Sequence, residues 1–351
     1  MNRLTWLSLL VSLSTHATPQ LALEAWREDI VDGSGKMGQH VSLAFDAAGA
    51  PHVTYYEFVA GDRRRLKYAH LRDGAWVAQT VDGLGNVGGV SSLALDSAGR
   101  PQVSYFDFGV QSLRLARWTG ARWELELVDG LESVGVDSSL ALDAQGEPHI
   151  SYYDLTNGDL KYAWKHAGAW LVETVDAEGD VGAETTLALD AQGRPHIGYV
   201  DRQGRLLKYA RFTRGKWEVE LVDVTGGAVG PSLALDAEGR PHLSYFDLRR
   251  DKLRVASREG RGFRVDTLLS VKAGLRTSLT FDRGGEARLA LQEPGGNILY
   301  LRRARRAEWK TVALQGLEEA AWGASLALAS SGSPTICYSD LRQHALRCAS
   351  P

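Results

Sequence analysis

Four ionisable residues of mixed charge occupy one shared position in a segment that recurs along the chain. They are His40, Asp137, Glu184 and Arg276, and each lies six residues before a repeated marker position. Trp322 stands next to the same position in the last copy of the segment. Acid and base groups, a cation and an aromatic ring are the components of a binding or catalytic pocket. The alternative is that they are solvated loop residues, because only a closed ring of repeats brings them together.

A second series of candidate binding residues is aromatic. Tryptophans recur at the start of one predicted strand per copy, and the series includes Trp76, Trp123, Trp170 and Trp217. An indole ring presents an apolar face that suits the C–H face of a sugar, while its N–H remains a hydrogen-bond donor. The same ring also packs well at the rim of a sheet. The series therefore predicts either sugar-stacking platforms or packing between neighbouring units.

Repeated acids and bases predict ion pairs more readily than a reactive site. An acid stands eleven residues after each marker, as at Asp154, and in most copies a base such as Lys161 follows seven residues later. If Asp154 faces Asp159 across a hairpin, Lys161 lies on the same face, within reach of a diagonal cross-strand contact. A ring of ligand sites built from these acids and bases is the alternative.

Nothing in the sequence predicts a cofactor or a metal ion. His52, His149, His196 and His242 each follow a proline in their own copy, so they are spread over the repeats and do not converge on a metal. The sequence contains no P-loop, dinucleotide-binding fingerprint, His-Glu-x-x-His motif or Gly-x-Ser-x-Gly elbow. We therefore expect neither a metal site nor a bound cofactor.

One basic cluster stands out in a chain without a global charge bias. The 40 Lys and Arg residues against 43 Asp and Glu give a net charge of -3, so electrostatics do not favour nucleic acid or an anionic membrane as the general partner. The sixth copy nevertheless carries Arg302, Arg303, Arg305 and Arg306. Such a run is typical of a solvated edge, and a contact with an acidic polymer or an acidic lipid headgroup is the alternative.

The unit that positions all these residues repeats seven times. Residues 139–154 read SLALDAQGEPHISYYD, and near-copies begin at Ser92 and Ser232. The aspartate that ends SLALD marks each copy, at spacings of 46 to 50 residues, which is the length of a four-stranded propeller blade. The seven marker positions are Asp46, Asp96, Asp143, Asp190, Asp236, Asp282 and Ala329.

Each copy predicts four short strands, here named A to D, and no helix. Short strands at regular spacing with glycine-rich turns indicate an all-β repeat architecture. Residues 24–32 match strand D of the other copies, whereas the last copy ends after its strand C, which disfavours a linear solenoid. We therefore predict one seven-bladed β-propeller over residues 18–351. Its N-terminal strand completes the last blade and so removes the open sheet edges.

The repeat resembles a known group of proteins. Its pattern LALD-x-x-G-x-P-H-I-S-Y-Y-D, which covers nearly all of residues 26–350, is similar to that of secreted bacterial β-propeller proteins. These are grouped loosely with sialidase-like and fucose-lectin-like propellers. The resemblance implies the fold and is nearly silent on activity. The sialidase Asp-box S-x-D-x-G-x-x-W is not matched and the sialidase catalytic residues have no counterpart here, so sialidase activity is not carried over.

The N-terminal residues predict an exported protein, and export in turn bears on the two cysteines. Residues 1–17 combine Arg3, an apolar run of about ten residues and small residues before position 18, which is typical of a cleaved signal peptide. A first strand or a membrane anchor is the alternative, although the run is too short to span a bilayer. We expect the mature chain to begin at Thr18, in the periplasm or outside the cell. There Cys337 and Cys348 predict a disulfide, because the expected hairpin register places them opposite each other; two buried free thiols are the alternative.

Three classes of function fit this sequence. The first is a lectin-like, multivalent binding module for carbohydrate, since repeated weak sites gain avidity without any new contact. The second is an enzyme, a lyase or a hydrolase, with a single site at the mouth of the central channel. The third is a scaffold for protein partners. Repetition and the lack of a complete catalytic motif favour the first class, with a glycan or another extracellular ligand as the partner. The sequence leaves the oligomeric state open.

Overall fold

The computed structural model describes most of the chain after the predicted signal peptide. It covers residues 22–24, 26–38, 40–59, 61, 63–130, 132–271, 274, 276–293, 296–305, 307–314 and 321–351, with backbone alone at 22–24, 313–314 and 321–322. The predicted signal peptide at residues 1–17 and the side chain of Trp322 therefore lie outside the described residues. Within the described ranges no helix is long and apolar enough to cross a membrane.

The first five blades consist of strands that follow one another in the chain. In each sheet neighbouring strands are antiparallel and run in the order A, B, C, D, and strand A of blade 1 is split in two. The strands are β3 (Lys36–Met37), β4 (Ser42–Phe45), β5 (Pro51–Val59), β6 (Arg63–Arg72) and β7 (Ala75–Asp82) in blade 1; β8 (Val87–Leu95), β9 (Pro101–Asp107), β10 (Ser112–Trp118) and β11 (Trp123–Asp129) in blade 2; β12 (Val134–Leu142), β13 (Pro148–Asp154), β14 (Asp159–His166) and β15 (Ala169–Asp176) in blade 3; β16 (Val181–Leu189), β17 (Pro195–Asp201), β18 (Leu206–Thr213) and β19 (Lys216–Asp223) in blade 4; and β20 (Ala228–Leu235), β21 (Pro241–Asp247), β22 (Lys252–Glu259) and β23 (Gly262–Ser270) in blade 5.

The last two blades take strands from the N-terminal end of the chain. Blade 7 receives its strand D from residues that precede blade 1, and blade 6 carries an additional parallel strand on its outer edge. Blade 6 contains β24 (Arg276–Phe281), β25 (Ala287–Gln292), β26 (Ile298–Arg303), β27 (Lys310–Leu314) and the extra β1 (Ala22–Glu24); blade 7 contains β28 (Ala321–Leu328), β29 (Pro334–Asp340), β30 (Ala345–Ser350) and β2 (Arg27–Asp32).

These pairings confirm the predicted seven-bladed propeller and its closure. Strand β2 runs antiparallel to β30, with Arg27 opposite Ser350. The A strands of consecutive blades contact one another all the way round, and the contact between β28 and β4 completes the ring. The A strands therefore line the central channel. Because the two ends of the chain share one sheet, blade 7 has four strands and the ring of blades is closed.

The repeated turn between strands A and B is built by the marker aspartate in the first six copies, whereas the seventh has Ala329 at this place. In blade 3 the carboxylate of Asp143 accepts the N–H groups of Gln145 and Glu147 at 2.9 Å and 2.8 Å. The N–H of Gly146 donates to the Asp143 carbonyl at 3.0 Å, and Gly146 has a φ of 79°, a left-handed conformation that glycine adopts without strain. The sequence D-x-x-G thus fixes the reversal that sends the chain back along strand B.

The hydrophobic core lies between the blades. Each cluster combines strands of two neighbouring sheets, as where Leu113 and Leu115 of blade 2 pack against Val134, Ile150 and Tyr152 of blade 3. All five side chains are fully buried. Burying one such side chain contributes about 1.5–3 kcal/mol, so the contact between the faces of adjacent sheets holds the ring together.

A tyrosine–aspartate hydrogen bond, which the spacing of the repeats does not reveal, joins successive blades. Tyr152 in strand B of blade 3 donates to Asp129, which ends strand D of blade 2, at 2.6 Å. The bond recurs at four other junctions with oxygen–oxygen distances of 2.5–2.8 Å. Those pairs are Tyr55 with Asp32, Tyr105 with Asp82, Tyr199 with Asp176, and Tyr245 with Asp223.

The predicted ion pairs across the B–C hairpins are present, with one exception. Asp154 lies opposite Asp159, and the Lys161 ammonium is 2.9 Å from the Asp154 carboxylate. Equivalent pairs occur in four other blades. In blade 4, however, Lys208 contacts Asp176 at the end of the preceding blade and not Asp201 of its own hairpin. The base therefore forms an ion pair either within its own blade or with the preceding blade.

The predicted disulfide is confirmed by the structure. Cys337 of β29 and Cys348 of β30 are directly opposite each other and are bonded. Both residues are buried in the cluster between blades 7 and 1. The bond therefore lies in the blade that joins the two ends of the chain.

Candidate functional site

The mouth of the channel brings together three of the four predicted site residues. Asp137, Glu184 and Arg276 line a polar cavity of about 170 Å³, together with serines and threonines of the A strands. His40 lies beside this cavity, and its ring stacks on Tyr56 with centroids 6.3 Å apart. Burial and the positive charges of Arg276 and Arg64 lower the pKa of His40 to about 3, so the ring is neutral at physiological pH.

The two acids at the channel mouth hold a backbone conformation that is rare for residues with a side chain. Asp137 has a φ of 54° and Glu184 a φ of 52°. Two other blades have glycine at the same position, Gly230 with a φ of 57° and Gly323 with a φ of 66°. A left-handed non-glycine residue costs about 1–2 kcal/mol. Such strain persists only where the surrounding contacts enforce it.

Those contacts are hydrogen bonds that run from blade to blade around the channel. The Asp137 carboxylate accepts the N–H of Glu184 at 3.0 Å, and the Glu184 carboxylate accepts the N–H of Gly230. At another junction the side-chain oxygen of Gln292 accepts the N–H of Gly323 at 2.7 Å. The acids therefore cap the irregular start of the next inner strand. These hydrogen bonds by themselves explain much of the burial of the two carboxylates.

Glu184 is the most perturbed carboxyl group at the channel mouth. Burial raises its pKa, and the negative charge of Asp137 adds to the rise. The hydrogen bond from Gly230 and the charge of Arg276 act in the opposite direction. Both acids also face a second cavity of about 370 Å³, whose lining includes Tyr153, Arg202 and Arg205. The channel mouth thus has an acid–base character, as the sequence predicts, within a hydrogen-bonded frame.

The tryptophan series lies between the blades and is half-buried. Trp123 packs edge-on against Tyr68 of the preceding blade, with centroids 5.4 Å apart, and Trp217 packs in the same way against Tyr162 at 5.1 Å. The indole N–H of Trp170 donates to Glu126 of the preceding blade at 3.2 Å, as that of Trp217 does to Glu173 at 3.1 Å. Trp76 packs against the core between blades 7 and 1. These contacts are the ones that the packing interpretation predicts. Sugar stacking on the exposed part of the rings remains a prediction.

The repeated histidines form a structural network with the marker aspartates. His196 contacts the hydroxyl of Tyr209 at 2.5 Å through Nδ1 and Asp190 at 3.5 Å through Nε2. His52, His149 and His242 have equivalent contacts, with Ser257 replacing the tyrosine in blade 5. In the described parts of the chain no three His, Cys, Asp or Glu side chains are close enough to hold a metal ion.

Acidification below about pH 6.5 is expected to lower the free energy of unfolding. Burial lowers the pKa of His196 from its ordinary value of 6.5, and the pKa values of His52, His149 and His242 fall for the same reason. Below 6.5 the unfolded chain therefore binds more protons than the folded one. The stabilisation is complete above that pH and is lost as the pH falls towards the folded-state pKa.

Urea denaturation at pH values between about 7.5 and 5 measures this loss. His196→Gln is the matched variant, because blade 2 carries Gln102 at the same place. We expect the variant to lose less stability over this range than the wild-type protein. Equal pH dependence in the two proteins would show that His196 does not contribute.

A third cavity, which the sequence analysis did not predict, opens between blades 5 and 6. It has a volume of about 530 Å³ and is reached from the side of the A–B turns. Small residues of strand β22 create it. Val255 stands where four other blades have a tyrosine, and Ser257 faces His242 where the first four blades have bulky side chains. At the place of Ser257 the first four blades carry His70, Arg117, Trp164 and Arg211.

This cavity, called the blade 5–6 cleft from here on, combines an aromatic wall with paired charges. The rings of Phe281 and His242 are 4.9 Å apart. Arg240 binds Asp236 at 2.7 Å and Glu238 at 3.1 Å. Arg303 and Arg305 of the predicted basic cluster also line the cleft, whereas Arg302 does not and Arg306 lies outside the described residues. The break in the bulky pattern of strand C was the sequence signal for this site.

Comparison with known proteins finds similarity at the level of the fold. No protein-family model and no curated protein matches the sequence. The fold is similar to that of the BP39L lectin from Burkholderia pseudomallei, at 14% identity and a TM-score of 0.66 over 90% of this chain and 96% of that chain. It is also similar to the AofleA protein of Arthrobotrys oligospora, at 13% identity and a TM-score of 0.56 over 83% and 90%. The six-bladed lectin of Aleuria aurantia, which recognises fucose, matches at 12% identity and a TM-score of 0.54 over 80% and 96%.

Proposed function

We propose that the protein binds carbohydrate and that the blade 5–6 cleft is its principal site. One observation carries the proposal: an open volume of about 530 Å³ lies against an aromatic wall and is surrounded by fixed cations and carboxylates. Phe281 and His242 supply a surface of the kind that packs against the C–H face of a sugar ring. A concave pocket with a few convergent polar groups is the usual form of a small-molecule site.

The polar groups of the cleft suit sugar hydroxyls, because each hydroxyl both donates and accepts a hydrogen bond. Arg240 offers guanidinium N–H groups, and its partners Asp236 and Glu238 offer carboxylate oxygens at 2.7 Å and 3.1 Å from it. The ion pairs hold these donors and acceptors in fixed positions. The lectins with similar folds, one of which recognises fucose, support the same class of ligand.

We infer that weaker sites at other blade interfaces make the binding multivalent. At the interface of blades 2 and 3 the half-buried Trp170 ring has the Lys165 ammonium 5.7 Å from its centre and Glu126 bound to its N–H. This site therefore combines an aromatic face with a hydrogen-bond donor, Lys165, and an acceptor, Glu126, as the blade 5–6 cleft does. Such sites gain avidity when a polymeric ligand engages several of them.

A single enzymatic site at the channel mouth, acting as a lyase or a hydrolase, is the second candidate. The observation that favours it is the combination of backbone strain at Asp137 and Glu184 with the raised pKa of Glu184. Strained backbone and perturbed acids cluster at functional sites. The blade-to-blade hydrogen bonds of both acids explain the same facts, so we rank this candidate below the cleft.

A glycan array followed by titration calorimetry tests the proposal. We expect glycan binding by the wild-type protein, and Arg276→Ala to leave the affinity unchanged. If the site were at the channel mouth, Arg276→Ala would instead weaken the binding of an anionic ligand by about 1.5–3 kcal/mol, the range for a charged hydrogen bond. A stoichiometry above one supports the additional blade sites, and the absence of any glycan binding by folded protein would contradict the proposal.

We also infer that the protein is exported. The pattern of residues 1–17 supports export, and so does the disulfide of Cys337 with Cys348, since such bonds persist outside the reducing cytosol. The similarity of the repeats to those of secreted bacterial propellers is consistent with the same location. A glycan-binding protein in this compartment meets polysaccharides of the cell envelope or the surroundings.

A further inference from the structure

We propose that the blade 5–6 cleft selects saccharides that carry a carboxylate or a sulfate group. This inference rests on the proposed function and names the class of glycan that the cleft takes. It depends on the charges of the cleft and not on the charge of the whole chain.

Positive charge is concentrated in the cleft. Six arginines and three carboxylates line it, whereas the whole chain has a net charge of -3. A concave site with low-polarity walls focuses the field of such charges and raises the local concentration of anions. The excess is local, so it predicts an anionic ligand for this cleft and no general affinity for polyanions.

Protein carboxylates neutralise only part of this charge. Within the described residues Arg283 and Arg303 form no ion pair, so two cations remain available to a ligand. The other four arginines of the lining bind acids at the cleft or just outside it. The pairs are Arg240 with Asp236 at 2.7 Å, Arg258 with Glu220, Arg264 with Asp266 at 2.9 Å, and Arg305 with Glu238.

Arg303 is the residue that we assign to the anion. Its guanidinium carbon lies 4.9 Å from the centre of the Trp309 ring, a cation–π contact that fixes the side chain. Burial lowers the pKa of Arg303, and the charge of Arg264 lowers it further, while Asp266 compensates only in part. Among the residues that the structure describes, no carboxylate lies within ion-pair distance of its guanidinium. A carboxylate or sulfate that binds beside it would supply such a partner through a charge-assisted hydrogen bond.

Carboxylate and sulfate fit this position better than a neutral hydroxyl. Both groups present two oxygens that can accept paired N–H bonds from the planar guanidinium. The Phe281 and His242 rings on the same cleft leave an apolar wall for the sugar ring that carries the anion. A neutral sugar would contact the same wall and leave the Arg303 charge without a partner.

Titration of the full-length protein with matched saccharides tests the selectivity. The probes are glucuronic acid against glucose, a sulfated disaccharide against its unsulfated parent, and free sodium sulfate. We expect the acidic member of each pair to bind at least about tenfold more tightly, and Arg303→Met to remove most of that difference. Arg302→Met is the matched control, because Arg302 is adjacent in β26 but does not line the cleft.

The outcomes separate this inference from the proposed function. Equal affinity for acidic and neutral saccharides, unchanged by Arg303→Met, overturns the selectivity and leaves carbohydrate binding in place. Sodium sulfate binding as tightly as the sulfated sugar would reduce the cleft to a site for free anions and overturn the saccharide part. If no saccharide binds while circular dichroism shows a folded protein, the proposed function itself fails.

Discussion

Replacing Ser257 with tryptophan is expected to abolish glycan binding at the blade 5–6 cleft. Ser257 faces His242 and leaves the space from which the cleft is formed. Blade 3 carries Trp164 at the same place, opposite His149, so the sheet accommodates an indole ring there. Filling the cavity removes the aromatic wall and the polar groups from contact with a ligand. We expect affinity to fall by at least about 100-fold in titration calorimetry, which corresponds to roughly 2.7 kcal/mol.

Ser257→Ala is the control for this experiment. It removes the hydroxyl that contacts His242 at 2.9 Å but leaves the cleft open, so we expect a change in affinity of less than about threefold. Thermal unfolding of both variants checks that the blade remains folded. Full glycan affinity in a folded Ser257→Trp variant would exclude the cleft as the principal site and direct attention to the channel mouth.

The second large effect concerns stability and not binding. Asp154→Ala is expected to lower the free energy of unfolding by about 3–5 kcal/mol, the usual result of removing one member of a buried ion pair. The carboxylate is fully buried, lies 2.9 Å from the Lys161 ammonium and also accepts N–H groups of Thr156 and Asn157. The variant leaves the turn without its acceptor and leaves that lysine with only Asp129, whose carboxylate lies 3.9 Å away. Urea denaturation followed by tryptophan fluorescence measures the change.

Blade 4 supplies the matched control. Asp201 occupies the same place as Asp154, but it is only half-buried and Lys208 contacts Asp176 instead. Asp201→Ala removes only turn hydrogen bonds to Gln203 and Gly204, so we expect a loss of about 1 kcal/mol. Similar losses in the two variants would mean that the ion pair of Asp154 with Lys161 adds nothing to the turn.

The fold was predictable because its determinants are local and repeated. The D-x-x-G turn fixes the A–B reversal in six of the seven blades, and Asp154 opposite Asp159 sets the register of the B–C hairpin. The same register places Cys337 against Cys348. Closure followed from a count of strands, since the last copy lacks the strand that residues 24–32 provide.

The contacts between blades were harder to predict, because they depend on which atoms two sheets bring together. Tyr152 and Asp129 both lie in repeated patterns, yet only the packed sheets show that they bond to each other. At the channel mouth the convergence of Asp137 and Glu184 was foreseen from their shared position. Their hydrogen bonds to the next blade were not, because they depend on an irregular backbone that sequence spacing does not encode.

The blade 5–6 cleft was missed for a different reason. It arises from what Val255 and Ser257 lack, and a search for chemically active residues passes over small side chains. The basic cluster is typical of a solvated edge, whereas in the structure Arg303 and Arg305 line a cavity. Comparison of equivalent positions among the seven repeats would have drawn attention to both small residues.

The pairing of β2 with β30 also constrains when the protein can fold during its synthesis. Arg27 lies opposite Ser350. Strand β2 is therefore translated first among the strands of blade 7, and its partner β30 is synthesised only when almost the whole chain has been made. At ribosomal speeds this interval is roughly 15–65 s. Until then the nascent chain cannot close its ring.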